Sequence, residues 1–181
     1  MKKLTIRPEL ATRVADDGTL TLDGLAVPWG TAIDYAGISE QFARGAIDPT
    51  DVVGRPMLWS HDRSEPIGHI TEARDTEAGL AVTAVVQPTA RGRDAITLLR
   101  SGSLRGLSIG FEPVDQKNTP TGVVYTRAIL HELSTTPLPA YPSAAVTATR
   151  AEEDPVASET VTETREAPVD LAPITERIDQ I

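Results

Sequence analysis

Only one stretch of this chain has the apolar period of a convincing helix, and it lies between two hairpin patterns. Residues 89–100 carry Ala95, Ile96, Leu98 and Leu99 at helical spacing, and Gly102 follows as a stop. The remaining apolar runs are short and bounded by turn residues. Residues 19–27 (TLTLDGLAV) follow an Asp-Asp-Gly turn, and residues 52–59 form a run broken by Gly54 and Pro56. Residues 67–73 and 80–86 flank a turn at 75–79. Residues 107–114 and 123–135 flank a polar loop holding Pro120 and Gly122, so both pairs read as hairpins. A second short helix is predicted over residues 38–44, before Gly45. Short strands with one or two helices predict a mainly β (α+β) fold: a small closed or curled β-barrel surrounded by a few helices.

Charge divides the chain in two. Residues 1–149 hold 17 acids and 14 bases, a net of -3, whereas residues 150–181 hold 9 acids and 3 bases, a net of -6. The reading is therefore a body over 1–149 and an acidic tail over 150–181. The tail is rich in Glu, Thr, Ala and Pro and is expected to be disordered, because it has too little apolar surface to offset ordering entropy. Leu171, Ile174, Ile178 and Ile181 are spaced for a short terminal helix that a partner surface would have to complete. A near-neutral body with an acidic tail argues against nucleic-acid binding, which needs a basic face.

The chain has no cysteine, which excludes disulfides, thiolate nucleophiles and cysteine-ligated zinc. No cofactor and no metal site is expected. The first ten residues lack the apolar core of a secretory signal, and no window approaches the ~20 apolar residues of a membrane span. The expectation is a soluble intracellular protein without membrane contact. Three histidines leave few candidates for histidine-dependent chemistry.

Gly106-Leu107-Ser108-Ile109-Gly110 has the G-x-S-x-G pattern of a hydrolase elbow, but that elbow needs a strand before the serine and a helix after it. Here the order is reversed, which disfavours an esterase of the α/β-hydrolase type. The plain alternative is a glycine-flanked serine in a tight strand. In a strand, Gly106, Ser108 and Gly110 share one face and Leu107, Ile109 and Phe111 the other. Ser108 would then stand between two positions without side chains, open to close approach.

A serine hydroxyl needs a base to become a nucleophile, and His61 is the candidate. It ends the run Met57-Leu58-Trp59-Ser60 and precedes a polar loop, although an ordinary surface histidine would look the same. In Ile129-Leu130-His131-Glu132-Leu133-Ser134, either His131 or Glu132 could orient the His61 imidazole. The two point to opposite faces. Polar Ser134 beside Glu132 favours the carboxylate, and His131 remains the rival.

Four segments in order resemble the prohead (capsid-maturation) serine proteases of tailed bacteriophages. They are Glu40-Gln41-Phe42-Ala43-Arg44-Gly45-Ala46; residues 58–68 with their His-Asp and Pro-Ile-Gly; Leu107-Ser108-Ile109-Gly110-Phe111; and Glu132-Leu133-Ser134 with Pro137, Pro139-Ala140 and Pro142. The resemblance covers about residues 18–146, and Tyr141 departs from it where asparagine is common. It implies a protease domain over 1–149 with a barrel like that of the herpesvirus assemblins. It also implies Ser108 as nucleophile, His61 as general base and Glu132 as the acidic third member; the herpesvirus relatives use a second histidine there. The implied function is a serine endopeptidase that cleaves capsid or scaffold proteins, and itself, during prohead maturation. Its partners would be the major capsid protein with its scaffold or delta segment, and a second copy of the chain remains open. The setting would be the host cytoplasm, inside assembling proheads. The competing class is a non-catalytic assembly module that docks through its acidic tail.

Overall fold

A computed structural model of the chain describes residues 14–35 and 37–150. The expected acidic tail and terminal helix, apart from Arg150, lie outside the described residues. Among the described residues nine strands follow one another: β1 (Leu20–Pro28), β2 (Ile33–Tyr35), β3 (Ile38–Phe42), β4 (Pro56–Trp59), β5 (Asp62–Asp75), β6 (Gly79–Val86), β7 (Gly106–Thr119), β8 (Gly122–Thr136) and β9 (Ala145–Arg150). Helix α1 (Ala90–Ser101) lies between β6 and β7, and a single 3-10 turn (Pro49–Asp51) precedes β4.

The strand order β8-β4-β5-β6-β1-β9-β7 closes on itself because β7 also pairs with β8, giving a seven-strand barrel. Closure removes the open edges that would invite pairing with other chains. The short β2–β3 hairpin is added outside the ring, with β3 parallel to the first residues of β8. One buried cluster, including Leu22, Met57, Ile67, Ile70, Leu107 and Leu133, fills the core.

Both expected hairpins form, β5–β6 and β7–β8, as does the expected helix. Thr89 caps α1 by accepting from the Gly92 N–H at 3.0 Å, and the helix stops at Gly102. Ala95, Ile96 and Leu99 are buried on its inner face, which packs against β5 and β6. No helix among the described residues is long and apolar enough to cross a membrane.

Two expectations are corrected. Residues 38–44 do not form a helix: residues 38–42 are strand β3, held by β2 on one side and by Ser39–Phe42 pairing with Gly122–Tyr125 of β8 on the other. Tertiary pairing outweighs the modest local helix preference of Ser-Glu-Gln-Phe. The barrel is consequently accompanied by one α-helix and one 3-10 turn among the described residues, fewer than the surrounding helices expected. The run at 52–59 is also shorter as a strand, beginning only at Pro56.

Candidate active site

β8 organises the site because three strands meet it. β7 runs along one edge with Ser108 opposite Ser134 and Gly110 opposite Glu132. Directly opposed residues of an antiparallel pair project to the same face, so Ser108, Ser134 and Glu132 share one side. On the other edge β4 runs parallel, with Leu58 beside Ser134 and Trp59 beside Thr135.

β4 delivers His61 through a hairpin that the sequence conceals. Trp59 pairs with Asp62, so Ser60 and His61 alone form the turn, with φ of 48° and 65°. Positive φ at both central residues is the requirement of a type I′ hairpin, normally met by Asn-Gly. Residues other than glycine held there cost about 1–3 kcal/mol each and persist only where their surroundings over-determine them. Here two backbone donors do so: Ser60 N–H to the Thr135 carbonyl at 3.0 Å and His61 N–H to Ser134 Oγ at 2.9 Å.

The turn directs the imidazole to Glu132, with His61 Nδ1 2.5 Å from Glu132 Oε1. An ionised carboxylate only accepts, so Nδ1 carries the proton, and in the neutral imidazole the lone pair then sits on Nε2. The second oxygen, Glu132 Oε2, accepts from the Ser134 hydroxyl at 2.7 Å. Glu132 is nearly buried and Ser134 wholly so, whereas the His61 side chain is 44% exposed. Ser134 therefore ties the turn backbone and the carboxylate together, a role that sequence reading missed. Its only local signal was its shared face with Glu132.

His131 lines a neighbouring cleft together with His61 and Glu132 but pairs with a different carboxylate. Its Nε2 lies 3.2 Å from Glu112 Oε2, and both side chains are exposed. The register slips between Gly110 and Phe111 opposite it. Leu107 is fully buried, as the apolar face requires, and Leu107, Ile109 and Phe111 all contribute to the wall of the cleft beside Ser108. That cleft, of about 570 Å³, is lined by both Ser108 and His61.

The glycines flanking Ser108 have separate reasons. A Cβ at Gly110 would lie 2.5 Å from Glu132 Oε1 and 3.0 Å from its Cγ. A Cβ at Gly106 would press on the Thr136 carbonyl and sit 2.6 Å from Pro139 Cδ. Gly110 thus leaves room for the carboxylate to lie flat across β7. Gly110→Ala is expected to displace Glu132 and break its contact with His61 Nδ1, read as the loss or marked shift of the His61 Nδ1 proton resonance. An unshifted resonance in that variant would show that the carboxylate tolerates the added methyl.

Among the described residues no group of three or more His, Asp or Glu side chains could hold a metal ion. The arrangement offers proton transfer and nucleophilic attack.

A family model described as caudovirus prohead serine protease matches residues 8–159. A capsid polyprotein of Pseudomonas phage PAJU2 is 36% identical over 105 residues, which is 53% of this chain and 16% of the polyprotein. The chain thus spans about a sixth of that relative. Among solved structures, the KSHV protease in complex with a hexapeptide phosphonate inhibitor matches with a TM-score of 0.48 and 12% identity, covering 71% of this chain and 64% of that one. The varicella-zoster virus protease gives a TM-score of 0.44 at 12% identity, covering 71% and 63%.

Proposed function

The chain belongs to the caudovirus prohead serine proteases, and we propose that it cleaves capsid or scaffold segments, and itself, through an acyl-enzyme at Ser108. Membership makes it a serine peptidase. A relative named as a capsid polyprotein supports substrates of capsid origin and action inside assembling shells.

In the proposed mechanism His61 Nε2 takes the proton from Ser108 Oγ as that oxygen bonds to the scissile carbonyl carbon. The same proton passes to the departing amine when the C–N bond breaks. His61 then takes a proton from water, whose oxygen attacks the acyl ester, and Ser108 recovers its hydroxyl hydrogen. Glu132 holds the imidazole in the tautomer this requires and stabilises the imidazolium that forms in each half. The observation that carries the reading is the His61 Nδ1–Glu132 contact, which leaves Nε2 free beside the cleft that Ser108 lines.

The test is a fluorophosphonate probe on the native and heat-denatured chain. We expect one label per folded chain, mapped to Ser108, and none after denaturation. An unlabelled native protein, or label spread over several serines, would favour the non-catalytic assembly module.

A further inference from the structure

We infer that the cleft beside Ser108 is a specificity pocket in which Glu40 selects a lysine or arginine side chain of the substrate close to the scissile bond. The inference rests on the reading of Ser108 as nucleophile and adds the class of substrate.

Three observations converge. The cleft that contains Ser108 and His61 is walled by apolar groups, among them Phe42, Ile109, Phe111, Leu138 and Tyr141, and Glu40 is the one carboxylate in its lining. Leu138 is 86% exposed at the rim, where its side chain is open to contact from a bound chain. The chain holds only seven aromatic residues, yet Phe42, Phe111, Tyr125 and Tyr141 all gather here, with neighbouring ring centroids 4.8–6.2 Å apart.

Glu40 is held but not neutralised. The Tyr125 hydroxyl donates to its Oε2 at 2.9 Å, and the Tyr141 hydroxyl donates to its backbone carbonyl at 3.5 Å. Among the described residues no cation pairs with Glu40, and its Oε1 has no hydrogen-bond partner. Burial, and then the bond to Glu40, push the Tyr125 hydroxyl up to about 12, so it remains a donor and never a competing anion. A fixed carboxylate with one free oxygen, at the edge of an aromatic and aliphatic cleft, complements a long apolar stem ending in a cation. Aromatic faces nearby add attraction for the same charge. Strand β3, which supplies Glu40 and Phe42, has no part in the acyl-transfer chemistry, and this role accounts for its placement against β8.

The experiment uses the full chain with a mixture-based peptide library read by mass spectrometry. Matched peptides carrying lysine, norleucine or glutamate at the preferred position follow. We expect lysine or arginine to be enriched at one position near the cut. Glu40→Gln is expected to reduce the preference for lysine over norleucine by about 10- to 100-fold, mostly through KM, the loss of one charge-assisted hydrogen bond. Glu40→Arg should invert the preference towards glutamate. A wild-type library without basic enrichment at any position overturns the inference, whatever the variants do, and so does an unchanged lysine-to-norleucine ratio in Glu40→Gln. Failure of the fluorophosphonate to label Ser108 would instead strike the catalytic reading, so the two failures are distinguishable.

Discussion

Ser108→Ala is expected to leave a co-expressed capsid protein uncut and to lower peptide hydrolysis by on the order of 10⁶-fold, the cost of removing the nucleophile from a working serine-histidine-acid unit. The hydroxyl of Ser108 makes no hydrogen bond among the described residues, so its loss should not disturb folding. Ser134 faces it directly across the β7–β8 ladder and provides the control. Ser134 is fully buried and its oxygen is occupied, accepting from His61 N–H and donating to Glu132. It is positioned to hold the site together and not to attack a carbonyl. Cleavage that persists in Ser108→Ala at near wild-type rate would move the nucleophile elsewhere.

Glu132→Gln is expected to cost about 10⁴-fold in kcat while the fold persists, and the reason lies in Ser134. The Ser134 hydroxyl hydrogen points to the carboxylate, so in the amide it engages the remaining oxygen. The amide NH2 is then turned towards His61 Nδ1, which must accept. The imidazole proton moves to Nε2, and the base can no longer receive a proton from Ser108. His131→Ala should change the rate by roughly twofold or less, because its partner is the exposed Glu112 and exposed ion pairs are worth little. Assaying both variants with one peptide separates the two candidates for the third position. A larger loss in His131→Ala than in Glu132→Gln would reverse the assignment.

The parts of this molecule that were legible in its sequence are those set by neighbouring residues. The β5–β6 and β7–β8 hairpins and α1 follow from turn residues, alternation and a helix cap within a few positions of each other. Alternation along β8 separated Glu132 from His131 before any pairing was known. Strand β3 was illegible because its conformation comes from β2 and β8 and not from its own residues. The Ser60–His61 turn was illegible for a different reason. Neither residue is glycine or asparagine, and the hydrogen bonds that stabilise the turn come from Ser134 and Thr135, more than seventy positions away. Glu40 was noticed only as part of a family-like segment. Its place in the cleft depends on β3 lying against β8.

Closure of the ring also sets an order of events during synthesis. His61, Ser108 and Glu132 all leave the ribosome before β9, the strand that completes the ring between β1 and β7. β9 must find partners such as Leu22, near the start of the described chain, opposite Thr149. Pairings between such distant residues make β-barrels slow to fold, typically in milliseconds to seconds. At ~5–20 residues per second, the 18 residues from Glu132 to Arg150 take about one to four seconds to emerge. A nascent chain therefore carries every reactive group for that interval with the ring still open. The cleft that His61 and Ser108 line therefore takes its final form only after β9 has emerged and paired with both β1 and β7.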